Sequence, residues 1–153
     1  MDVVQTLLAA GADASSSSAT AGTLATHVAA ARGNSEMLEM LLAAGAPAGA
    51  KDADKQTICH LAVRSGDVST VRVAANACKH LKTRKGGLES WDRWKRTPAA
   101  WALVAGSSEI LAELRDAGAN LTSLETDVSN AWVHGSLSAK SEVKLAHRPD
   151  RKR

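Results

Sequence analysis

Two histidines, two cysteines and a run of serines are the residues in this chain with the greatest capacity for chemistry. His27 and His60 lie 33 residues apart, and Cys59 sits next to the second of them. A bound metal needs several such side chains converging, and adjacent residues on a helix point to different faces, so Cys59 and His60 do not make a half-site. Ser15 to Ser18 would supply a nucleophile only beside a base and on a sharp turn, and no Gly-x-Ser-x-Gly pattern surrounds them. There is no glycine-rich phosphate loop, His-Glu-x-x-His or dinucleotide fingerprint. The carboxylates are scattered as solvated charges on helix faces. Catalysis, a metal, a cofactor and a small-molecule substrate are therefore not expected. Cys59 and Cys78 are too few for a disulfide framework and are expected to pack as small apolar groups.

The elements that carry these residues explain the spacing. Sliding the sequence along itself by 33 residues superposes Gly33 on Gly66 as well as His27 on His60. Leu24-Ala-Thr-His-Val-Ala-Ala-Ala-Arg-Gly33 aligns with Thr57-Ile-Cys-His-Leu-Ala-Val-Arg-Ser-Gly66. A third copy, Thr97-Pro-Ala-Ala-Trp-Ala-Leu-Val-Ala-Gly106, follows after 40 residues, with seven extra residues upstream. A second phrase, Leu7-Leu8-Ala-Ala-Gly11-Ala12, returns as Leu41-Leu42-Ala-Ala-Gly45-Ala46 and as Leu114-Arg-Asp-Ala-Gly118-Ala119. Each unit reads as two short helices. The first is broken at Gly33, Gly66 or Gly106, and the second carries an apolar stripe ended by Gly45 or Gly118. Such a pair cannot bury its own stripe, so copies must stack into a solenoid. Composition agrees with an all-α fold: 44% of residues are hydrophobic, there is no Phe or Tyr, and Ala, Leu and Val must fill the core.

These phrases resemble the ankyrin repeat, with its Thr-Pro-Leu-His-x-Ala opening and Leu-Leu-x-x-Gly-Ala close. The structural motif positions are His27, Gly33, Gly45, Thr57, His60, Gly66, Thr97, Pro98, Gly106 and Gly118. The resemblance implies that each motif histidine is structural, its ring bonded to backbone of a neighbouring repeat, although the third copy has Ala100 there. It also implies short hairpin fingers between repeats, a stack over residues 1–121, and protein recognition through the concave face of fingers and first helices. Within that stack, 1–22 is a partial repeat, 23–55 a repeat, 56–91 a repeat with a basic insertion, and 92–121 a repeat. Residues 122–135 are expected to cap the stack, with Trp132 over its open end, and 136–153 to form a basic disordered tail.

The departures from the family pattern are specific. The turn glycine two positions before the motif threonine is kept as Gly22 but replaced by Lys55 and Lys95. Left-handed backbone at a lysine costs on the order of 1 kcal/mol, so those two fingers are expected to take a different shape. In the third unit Cys78 stands where the capping glycine belongs and Ala74-Ala75 replaces the leucine pair, so its second helix reads as weakly specified. Residues 1–12 form a second helix with no first helix before it, which is expected to leave an apolar surface bare.

The residues expected to meet a partner protein are Asp52, Asp54 and Lys55 on one finger, Arg93, Trp94 and Lys95 on the next, and Trp101 on the helix behind. Tryptophan and arginine together favour interface hot spots. A second reading makes the chain a structural subunit or spacer docked by its ends in a larger assembly. A third and weaker one gives nucleic-acid contact to the basic insertion, where Lys79, Lys82, Arg84, Lys85, Arg93, Lys95 and Arg96 outnumber Glu89 and Asp92. The formal net charge of +3 argues for no particular polyanion. No stretch approaches the length of a membrane span. Without a secretory leader pattern, the expected location is intracellular, cytoplasmic by default, with nuclear targeting through the basic tail as the alternative.

Overall fold

A computed structural model describes residues 2–17, 22–81 and 86–121. Seven α-helices form among them: α1 (Asp2–Ala9), α2 (Ala25–Ala31), α3 (Ser35–Ala43), α4 (Ile58–Ser65), α5 (Val68–Cys78), α6 (Pro98–Val104) and α7 (Ser108–Asp116). The described residues contain no strand, and a single isolated bridge joins Ser17 to Leu24. The segments 122–135 and 136–153, with Trp132, lie outside the described residues, as do Ser18, Lys82, Arg84 and Lys85.

The helices pair as α2/α3, α4/α5 and α6/α7 and stack in two rows. First helices α2, α4 and α6 make one row, and second helices α3, α5 and α7 the other. α1 heads the second row, with Val4 and Leu8 packed against the core and Gln5 Nε2 donating to Met40 Sδ at 3.3 Å. The architecture is the expected all-α repeat solenoid.

Short helices like these are marginal alone, and their ends are fixed by caps. Asn34 Oδ1 accepts from Met37 N, Asp67 Oδ2 from Thr70 N, and Ser107 Oγ from Ile110 N. Thr97 Oγ1 accepts from Ala100 N at 3.2 Å, with Pro98 opening α6, where no backbone donor is needed. The motif glycines Gly33, Gly45, Gly66, Gly106 and Gly118 all have positive φ. Gly33 is constrained twice, since a Cβ there would also stand 3.1 Å from Asp67 Cβ in the next repeat.

One expectation is corrected. α5, read as weakly specified, is the longest of the seven helices at 11 residues. Its Ala74, Ala75 and Cys78 are buried completely, because small side chains let α5 approach α3 on one side and α7 on the other. No left-handed residue ends it: Lys79 follows in right-handed conformation and Cys78 Sγ reaches Ala48 O at 3.6 Å. Part of the insertion packs on the stack. Gly86, Gly87, Leu88 and Ser90 are buried, and Gly86 packs against the backbone of Gly49 so closely that a Cβ would lie 3.0 Å from Gly49 Cα.

Candidate functional site

The loops that precede α4 and α6 have the same internal wiring. In the first, Lys55 N donates to Asp52 O, Asp52 N donates to Gln56 O, and Asp52 Oδ1 accepts from both Asp54 N and Gln56 N. In the second, Lys95 N donates to Asp92 O, Asp92 N to Arg96 O, and Asp92 Oδ1 accepts from Trp94 N and Arg96 N. Lys55 and Lys95 take left-handed φ values of 59° and 58°, alongside 57° at Gly22. The expectation of differently shaped lysine fingers is therefore corrected. An aspartate three residues upstream gathers the turn's amides with its carboxylate, and these charge-assisted bonds offset the strain at the lysine.

The two fingers lie side by side. Arg93 N donates to Asp54 O at 2.8 Å, and Arg93 Nη1 stands 3.4 Å from Asp54 Oδ1. Lys51 Nζ crosses to Trp91 O at 2.9 Å. Burial, then the neighbouring Lys55, push the Lys51 ammonium below its ordinary range. Each motif histidine ties a finger to the helix behind it. His60 Nδ1 accepts from Thr57 N, which leaves its Nε2 protonated to donate to Arg96 O at 3.0 Å. His27 does the same between Leu24 N and Ala50 O. Burial pushes the His60 pKa down to about 4 and lowers that of His27, so both rings are neutral struts at neutral pH.

Behind the second finger an aromatic and cationic cluster forms. Trp101 is half-buried, and its Nε1 donates to Asp92 Oδ2 at 2.8 Å. Trp94 meets it edge to face with ring centroids 6.4 Å apart. The Arg96 guanidinium lies 4.3 Å from the Trp101 centroid and 5.4 Å from that of Trp94. Arg64 approaches Trp101 at 5.7 Å and holds Gln56 Oε1 at 2.9 Å. An open groove of about 440 Å³ continues from Trp101 and Arg64 along Val63, Val104, Ala105 and Ile110.

A family model for ankyrin repeats, in three copies, matches residues 1–81 and 26–125. The chain belongs to the ankyrin-repeat family. Ankyrin repeats generally act as protein–protein interaction modules, and the family is typically non-enzymatic. A comparison with individual curated proteins finds no match. As an ankyrin-repeat chain it has the family's row of first helices and fingers, and the anticipated contact residues divide on that frame. Lys55, Arg93, Trp94 and Lys95 are exposed on the fingers, Asp54 is partly buried, and Trp101 forms the wall behind. The Asp52 carboxylate holds its own turn through Oδ1, a positioning role, and its side chain is half-buried. Sequence reasoning counted Asp92 and Arg96 only among the charges of the insertion and gave Arg64 no role. The repeated Asp-x-x-Lys at 52–55 and 92–95, in phase with Thr57 and Thr97, was the signal for the first of these.

Cys59 and Cys78 are both buried. A hydrogen bond between them, then burial, holds the Cys59 thiol well above its usual range, so it is not a ready nucleophile. Among the described residues no three His, Cys, Asp or Glu side chains converge, and no helix is long and apolar enough to cross a membrane.

Proposed function

We propose that this ankyrin-repeat chain binds a partner protein through the concave face formed by the fingers 51–56 and 91–96 and the inner helices α4 and α6. One observation carries the reading. Trp94 and Val104 are each 45% exposed on this face, on a frame held rigid by Asp52, Asp92 and the two histidines. Exposed tryptophan beside arginine on an ordered scaffold has the chemistry of an interface hot spot, and pre-ordering lowers the entropy lost on binding.

The test compares capture of proteins from lysate by the wild-type chain and by a variant combining Arg93→Ala, Trp94→Ala and Lys95→Glu, at low and moderate salt. A protein retained by the wild type and lost by the variant is the expected result. Equal capture by both forms would refute the assignment. It would favour the second reading, docking by the end of the stack, which rests on Val3 and Leu7 of α1 at 71% and 55% exposed. Retention that collapses with salt and with nuclease treatment would instead favour nucleic acid.

A further inference from the structure

We infer that the segment bound in this groove is acidic and carries an apolar side chain next to its carboxylates; this rests on the concave-face reading and adds the chemistry of the partner. The two fingers with Arg64 hold six cations, Lys51, Lys55, Arg64, Arg93, Lys95 and Arg96, against Asp52, Asp54 and Asp92. Those three carboxylates are already engaged. Asp52 and Asp92 hold the turns, and Asp54 faces Arg93. Lys55, Arg64, Lys95 and Arg96 have no carboxylate within ion-pair distance among the described residues. The local field is therefore positive, and its counter-charge must come from outside.

Arg96 is the most specialised of these cations. Its guanidinium is held against two indoles, and its buried Nε has no hydrogen-bond partner among the described residues. Stacking fixes the plane of the group while leaving donors on its edge, the geometry that suits a carboxylate. Arg64 approaches the same Trp101 ring and also lines the apolar groove of Val63, Val104, Ala105 and Ile110. A carboxylate reaching Arg64 or Arg96 thus has an apolar slot beside it, large enough for a leucine-sized or aromatic side chain. A basic or purely polar segment would leave the cations unpaired and the slot unfilled.

The experiment selects binders to the whole chain from a library of random dodecapeptides, then measures a fluorescein-labelled winner by polarisation. Variants Arg64→Glu and Val104→Arg alter the groove; Lys79→Glu makes the same charge change at an exposed site after α5. Melting curves confirm that all three remain folded. The expected winners place Asp or Glu beside Leu, Ile, Phe or Trp. Their affinity should fall by about tenfold or more in both groove variants and stay within about twofold in Lys79→Glu. A library that enriches nothing, or winners without an acidic bias, would overturn the inference. If winners without that bias still lose binding in Val104→Arg, the groove stands and only its acidic specificity falls. Acidic winners indifferent to both groove variants would sink the concave-face reading as well.

Discussion

Gly22 and the two finger lysines, Lys55 and Lys95, reach the same left-handed φ by different chemistry. At Gly22 the residue itself permits φ of 57°, and Ala19 stands three positions before it. At Lys55 and Lys95 the residue resists that conformation, and an aspartate three positions earlier enforces it from outside. The second solution adds a side chain: each turn now presents an exposed lysine. Strain of about 1 kcal/mol per lysine is thereby traded for a positive edge that glycine cannot supply.

Removing the enforcing carboxylate should break this contrast most severely. Asp92 holds two backbone amides and the Trp101 indole while only 3% exposed, so Asp92→Ala is expected to lower unfolding free energy in urea by about 3–4 kcal/mol. Asp52→Ala, with two backbone donors and no indole, should lose about 1–2 kcal/mol. Equal losses would mean that the indole bond contributes nothing.

Acid tests the struts behind the lysine fingers. His60 titrates at about 4 in the fold and near 6.5 when unfolded, so as pH falls the unfolded chain takes up its proton first. Stability should be complete above about pH 6.5, decline toward about pH 4, and level off below, with a loss on the order of 3 kcal/mol from His60. His27 adds a loss of the same sign. Urea titrations at pH 7.5 and 4.5 measure it, and a flat profile would contradict the strut role. From the other side, Gly86→Ala pushes a Cβ to 3.0 Å from Gly49 Cα and O, just before the first lysine finger. It should cost about 2 kcal/mol, read as a lower thermal midpoint.

The smallest effect sharpens the comparison. Lys95→Gly relieves strain and should stabilise the chain by up to about 1 kcal/mol in urea while weakening capture of the partner. Stabilisation without loss of capture would make the lysine a solvated tip and nothing more.

The repeat frame was legible because a period, a phase and two phrases had to coincide, and each rests on a local requirement. Glycine marks left-handed ends, Thr97-Pro98 opens a helix, and the histidines pin neighbouring repeats. α5 was not legible, because its stability comes from how closely alanines let neighbours approach, which no local pattern of large residues reports. The lysine fingers were misjudged for the same reason: strain is visible at one residue, whereas the remedy sits three residues away. Arg64 has no role in the sequence reading and Arg96 only that of an insertion charge, since charge at a helix end or loop ordinarily reads as solvated. Only the fold brings them to Trp101, which itself stood out from sequence as a residue on the inner face.

The most direct test of partner binding on the finger face places a photo-crosslinking residue at Val104, in the groove, or at Leu7, on the end of the stack, both exposed in the free chain. A partner protein is expected to be trapped through position 104 and not through position 7. Trapping through position 7 alone would contradict it, and would move recognition to the end of the stack.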